Sequence, residues 1–211
     1  SSVTRGALSN VKANAIVGLS GTVEMSSVFI DANIRGKFQA FTVNTNSTIR
    51  GTWLTEAANM NVFGTNVISP DLEGTSKITG GRLSIGGGLF YINHFELDST
   101  QQSAISSADM WGNTMPVGDD PSYWHWYMPG SSLVLRSDGQ CLVTNSEIHY
   151  DIFEMHCKDF TSEKSTFNRD IVYGAESTSG SLKSVTAPSI KVLGDATVRT
   201  YFIITLNVTN S

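Results

Sequence analysis

The feature that most restricts this chain is its punctuation. Short apolar stretches of four to about twelve residues follow one another from end to end, each closed by Gly, Asn, Asp or Ser. Val, Ile, Thr and aromatic residues fill the stretches, and these side chains suit a pleated sheet. Candidate strands fall at 11–18, 21–31, 36–43, 47–55, 61–68, 76–85, 88–97, 122–128, 132–137, 140–144, 146–157, 182–193 and 196–209. In GKFQAFTV, residues 36–43, strict alternation puts Phe38, Ala40 and Thr42 on one face and Lys37, Gln39, Phe41 and Val43 on the other. ATVRTYFIITLNV, from Ala196, likewise sets Val198, Thr200, Phe202, Ile204 and Leu206 against Tyr201, Ile203 and Thr205.

One stretch reads as helix. DSTQQSAISSADMW, 98–111, opens on the capping residues Asp98, Ser99 and Thr100 and spaces Ala104, Ile105, Ala108 and Trp111 by three and four. Residues 158–182 are polar with few apolar anchors and read as a long exposed loop around a short strand at 170–173. No repeat of 20 to 50 residues is visible. Alternation with one wet face favours antiparallel pairing, because parallel strands ordinarily need helices between them. The expectation is an all-β, antiparallel β-sandwich of jelly-roll type, with one short inserted helix, forming a single domain over 1–211.

Composition narrows the function classes. Ser, Thr, Asn and Gly supply 27, 21, 14 and 19 of the 211 residues, and only 16% are charged, so the surface is hydroxyl- and amide-rich. A net charge of −5 argues against direct nucleic-acid binding, which needs clustered Lys and Arg. Residues 1–50 hold Arg5, Lys12, Arg35, Lys37 and Arg50 against Glu24 and Asp31, whereas 93–160 hold ten acids against Arg136 and Lys158. That asymmetry suits either the orientation of subunits or simple local solvation of the two stretches. No apolar run is long enough to span a membrane. Cys141 and Cys157 can supply neither a disulfide framework nor a zinc site alone, and their spacing leaves open whether they are joined. Asn46 and Asn207 open glycosylation sequons.

No motif names a reaction, and the expectation is that the protein is not an enzyme. TGGRLSIGGGL, 79–89, lacks phosphate-loop spacing; Gly80-Gly81 suit a hairpin turn and Gly86–Gly88 a bulge or close backbone approach. In SEIHYDIFEM, 146–155, alternation puts Glu147, His149 and Asp151 on one face, a set able to hold a divalent cation, to form an acid–base pair, or simply to make the sheet's polar face. Asp119 and Asp120 are a candidate site for structural Ca²⁺; no other cofactor is implied. Next to them YWHWYM, 123–128, puts Tyr123, His125 and Tyr127 on one face and Trp124, Trp126 and Met128 on the other. Aromatics on both faces call for a cover on each side: the core, a subunit contact or a ligand.

ATVRTYFIITLNVTNS together with SEIHYDIFEM resembles the closing strands of jelly-roll capsid proteins of small icosahedral RNA viruses. The resemblance covers about a fifth of the chain, and the arginine-rich arm of such proteins is not present. It implies a self-assembling shell or projecting spike in a virion, a homo-oligomer acting by assembly and surface recognition. The composition equally suits a secreted carbohydrate- or receptor-binding module, such as a lectin-like domain, an adhesin or a phage receptor-binding domain, with a host glycan or receptor as partner. A hydrolase using Glu147, His149 and Asp151 is the third reading.

Overall fold

A computed structural model describes residues 5–8, 15–18, 21–26, 29–31, 33–44, 47–69, 74–112 and 130–201. They form strands without a helix, and every pairing is parallel. Long strands alternate along the chain with short ones. The long ones are β5 (Asn33–Val43), β7 (Trp53–Phe63), β9 (Thr75–Gly86), β11 (His94–Ser106), β13 (Ser132–Thr144) and β15 (Ile152–Glu163). The short ones are β4 (Phe29–Asp31), β6 (Ser47–Arg50), β8 (Thr65–Ile68), β10 (Leu89–Tyr91), β12 (Asp109–Trp111), β14 (Glu147–His149) and β16 (Thr166–Phe167). Long strands stack on long in a 13-stranded sheet, and short on short in a 7-stranded sheet. At the ends the long strand splits in two. β2 (Ala15–Gly18) and β3 (Thr22–Met25) pair the two halves of β5, and β1 (Arg5–Leu8) pairs β3. β17 (Ile171–Tyr173) and β18 (Ser179–Lys183) pair the halves of β15, followed by β19 (Ile190–Val192) and β20 (Thr197–Tyr201).

This is a parallel β-solenoid, and it corrects the expected antiparallel, jelly-roll-like β-sandwich. Strand alternation was a sound indicator of one wet and one dry face. The error lay in taking parallel pairing to require helices. A chain that winds in coils brings each strand beside the one a full turn later, so the rest of the coil is the crossover. Contacts between neighbouring coils mostly span 17 to 20 residues, as from Lys77 to Glu96 and from Lys158 to Thr178, and 23 where β7 meets β9, as from Thr55 to Ile78. From His94 to Ser132 the span is 38, because residues 113–129 are inserted between β12 and β13.

The core consists of like stacked on like. Thr55, Ile78, Leu97, Leu135, Met155 and Tyr173 form one buried column through the large sheet. Ile30, Ile49, Val67, Phe90, Met110, Ile148 and Phe167 form another, one residue from each strand of the small sheet. Removing each such side chain from water contributes about 1.5–3 kcal/mol. Phe38, Phe41 and Trp53 pack edge to face, with centroids 5.0 and 5.5 Å apart. Cys141 and Cys157 are joined by a disulfide between β13 and β15, Cα atoms 5.9 Å apart.

Each long strand bends midway, and there the alternation loses its phase. Phe38, Phe41 and Val43 are all buried, so the single register expected for GKFQAFTV fails at the bend. In β11 both Thr100 and Gln101 face outward, and the register against β9 shifts between Ser99 and Gln102. Gly80 sits at this bend, not in a hairpin turn: a Cβ there would lie 1.8 Å from the Ala57 carbonyl oxygen, so only glycine fits. Gly88 is a close approach of the expected kind, since its Cβ would lie 2.1 Å from the Thr65 carbonyl oxygen.

The segment expected to be helical, 98–111, is the outer part of β11, a corner at Ser107 and β12. Its three-and-four spacing arises because the corner resets the inward face from Ile105 to Ala108 and Met110. Residues 158–182, expected as an exposed loop around a short strand at 170–173, do hold that strand as β17, but they also carry the end of β15, all of β16 and most of β18, with Phe160, Phe167, Ile171 and Tyr173 buried. At the last coil, Ile190, Val192, Leu193 and Tyr201 are exposed. Of the C-terminal capsid-like stretch, β20 lies parallel on β18, and residues 202–211 fall outside the described residues.

Six corners share one conformation. Gly64, Gly87, Ser107, Asn145, Lys164 and Ser184 follow the ends of long strands, with φ between 49° and 63°. The left-handed geometry turns the chain while each amide still donates to the next coil, as Asn145 N does to Glu163 O at 2.9 Å. Hydroxyls line the same corner: the Ser146 amide donates to Ser165 Oγ, and the Ala108 amide to Ser146 Oγ. Asn145→Val is expected to lower unfolding free energy by about 1–2 kcal/mol and Asn145→Gly to leave it within a few tenths, in urea denaturation followed by circular dichroism.

Tyr150 is wholly enclosed, and its hydroxyl has no partner among the described residues. Burial pushes its ionisation far above the ordinary 10.0. A folded value above the unfolded one means the stabilisation is complete below about pH 10 and lost as pH rises further. Tyr150→Phe is expected to leave neutral-pH stability equal or up to about 1 kcal/mol higher. It should also flatten the alkaline loss measured by urea unfolding from about pH 8 to 11.

Candidate functional site

Two places on the outer surface gather polar chemistry. On the small sheet, Met110 and Ile148 point inward, so Asp109 and Trp111 of β12 and Glu147 and His149 of β14 point out. In-register parallel pairing sets Asp109 beside Glu147 and Trp111 beside His149. The indole and imidazole stack with centroids 3.8 Å apart and planes 10° from parallel. His149 Nε2 lies 3.3 Å from Glu147 Oε2. One atom each from Asp109, Glu147 and His149 fall within 4.8 Å of one another. Asp109 Oδ1 is buried and accepts no hydrogen bond from the described residues. Tyr91 pairs Trp111 from the preceding coil, and its hydroxyl ionises above its ordinary value through burial and the Asp109 charge.

Glu147 and His149 thus share a face, as alternation indicates, but Asp151 does not join them. The chain turns at Tyr150, and Asp151 Oδ2 accepts from the Gly130 amide at 2.8 Å and from the Ser131 amide and hydroxyl at 3.3 Å each. Its Oδ1 faces Arg169 at 3.4 Å. Asp151 therefore ties the chain before β15 to Gly130 and Ser131, just ahead of β13, which removes it from the expected catalytic set. The missing third member, Asp109, stands 38 residues before Glu147, one coil plus the insertion away.

The second place is on the large sheet, where Asp98, Arg136 and His156 stand side by side on three consecutive long strands. With Ser137, Asp138, Lys158 and Glu176 they line a hollow of about 270 Å³. Its charges are largely matched. Glu96 Oε1 meets Lys77 Nζ at 2.8 Å and Arg136 Nε at 3.1 Å. Lys77 is held above its ordinary value chiefly by that hydrogen bond to Glu96, against partial desolvation. His156 faces Glu154 through Nε2 at 3.2 Å and Glu176 through Nδ1 at 2.5 Å. Beyond the bend, Gln102, Gln140, Asp159 and Ser179 continue a hydrogen-bonded row from coil to coil.

Several expected site residues cannot be placed. Asp119 and Asp120, the calcium candidates, and Tyr123, Trp124, His125, Trp126 and Tyr127 lie outside the described residues, as do Asn46 and Asn207. His94 contacts Ser132 Oγ at 3.0 Å and belongs to neither site. No helix among the described residues is long and apolar enough to cross a membrane.

Compared with protein-family models, curated proteins and solved structures, the chain matches none. Its class is therefore defined by its own geometry, as a parallel β-solenoid with a charged lateral hollow and a carboxylate–imidazole cluster.

If Asp151 is structural, Asp151→Ala should lower stability by about 1–3 kcal/mol, since it strands the Gly130 and Ser131 amides. Thermal unfolding checks this, and Asp151→Asn should recover part of the loss.

Proposed function

We propose that this protein is a binding module whose solenoid body displays the lateral hollow to an extended, hydroxyl-rich ligand, a glycan chain. The observation that carries the reading is the row Asp98–Arg136–His156 with its hollow of about 270 Å³. Coils in register repeat their outward groups about every 4.8 Å, so the donors and acceptors form a straight track along the solenoid. Matched acids and bases supply directional hydrogen bonds without strong net charge, the chemistry that a neutral polyhydroxyl chain requires and a polyanion does not. The acidic balance of −5 points the same way.

Other features fit an exposed setting. A buried disulfide suits an oxidising compartment, and a surface rich in Ser, Thr and Asn suits a secreted or particle-borne protein. The capsid reading drew its fold from a jelly roll, and the solenoid withdraws that support. Recognition at a surface is the part of the expectation that the geometry still favours, as binding without turnover.

A glycan array followed by calorimetry on the best ligand tests the proposal. Arg136→Ala combined with Lys158→Ala is expected to weaken binding by about 10- to 100-fold, the loss of one or two charge-assisted hydrogen bonds. An array without a hit, or binding that is indifferent to the double substitution, would refute it.

A further inference from the structure

We propose that Asp109, Glu147 and His149 bind one divalent transition-metal ion of the zinc class on the outer face of the small sheet. Three donors from two adjacent strands converge there, and nothing in the glycan-binding reading requires them.

The first argument is charge. Parallel register forces Asp109 and Glu147 side by side, and like charges so placed repel. Their flanking partners in the ladder, Leu89 and Thr166, carry no charge. Among the described residues no Lys or Arg forms an ion pair with either carboxylate; only His149 approaches, at 3.3 Å.

The second argument is independent of the first. Asp109 Oδ1 is withdrawn from solvent and lacks any donor among the described residues. The half-buried carboxylate of Asp151, by contrast, accepts from two amides and a hydroxyl. A buried carboxylate oxygen left without a donor is unfavourable, and a metal cation is the partner that also relieves the repulsion.

The third is preorganisation. Trp111 stacks flat on His149, which holds the imidazole with Nε2 toward the Glu147 carboxylate. Zinc bonds of about 2.0–2.2 Å place ligand atoms about 3.5 Å apart, so the donors, now within 4.8 Å, must draw together. Glu147, with 65% of its side chain exposed, is free to make that adjustment. The imidazole nitrogen favours zinc-class ions over Ca²⁺ or Mg²⁺, which prefer all-oxygen shells.

Equilibrium dialysis of the whole chain against ZnCl₂ tests this, alongside Asp109→Asn, Glu147→Gln and His156→Ala. The expected result is one Zn²⁺ per chain at micromolar concentration, at least 10-fold weaker in the first two variants and unchanged in the third. Circular dichroism of each variant verifies folding. Titration of the unaltered chain with Co²⁺ supplies a readout free of any variant, with ligand-field bands of a nitrogen–oxygen site expected. Absence of zinc binding, binding retained by both Asp109→Asn and Glu147→Gln, or loss in His156→Ala would each overturn the assignment. Glycan binding by Asp109→Asn is expected to match that of the unaltered chain.

Discussion

Everything in this molecule depends on the in-register stacking of one coil on the next. Parallel backbone ladders hold the coils at sheet spacing, and that spacing forces each side chain to lie over the residue one turn earlier. Inside, the result favours folding, because apolar side chains lie on apolar ones from layer to layer, Leu97 on Leu135 and Met110 on Ile148. Stability is then distributed among neighbouring coils instead of being drawn from one central cluster.

The same rule operates on the outer face with different consequences. Stacked apolar groups attract, but stacked carboxylates repel unless something lies between them. On the large sheet the charges interleave: Lys77, Glu96, Asp98 and Arg136 alternate in sign across three strands. On the small sheet Asp109 and Glu147 do not, and this exception makes the cluster chemically distinctive. The lateral hollow and the carboxylate–imidazole cluster are thus two outcomes of one geometric constraint, separated by how the sequence places its charges.

Much of the strand content was legible in the residues. Stretches such as 47–55, 61–68, 76–85, 132–137 and 140–144 overlap real strands, the last two being halves of one strand, because Val, Ile and Thr alternating with polar groups suit a half-buried sheet wherever it is paired. Glu147 and His149 were legible as a shared face for the same reason. Pairing direction was not, since period-two alternation is identical in parallel and antiparallel sheets. The coil length escaped notice because it varies from 17 to 20 residues, reaches 23 between β7 and β9, and is lengthened by an insertion to 38 in one step. A sign of it was present in the small or polar residues Gly64, Gly87, Ser107, Asn145 and Ser184 at strand ends, and Lys164 obscures even that series.

Taken alone, the residues determined a strand-built protein with a hydroxyl-rich, weakly acidic surface and one dry face per strand, because those properties are local to each stretch. Only the tertiary structure decided which stretches lie side by side. That choice turned an expected sandwich into a solenoid, joined Cys141 to Cys157, moved Asp151 out of the polar cluster and brought Asp109 into it. The reason is physical: winding joins residues a whole turn apart, and no alternation within a single strand records the length of the turn.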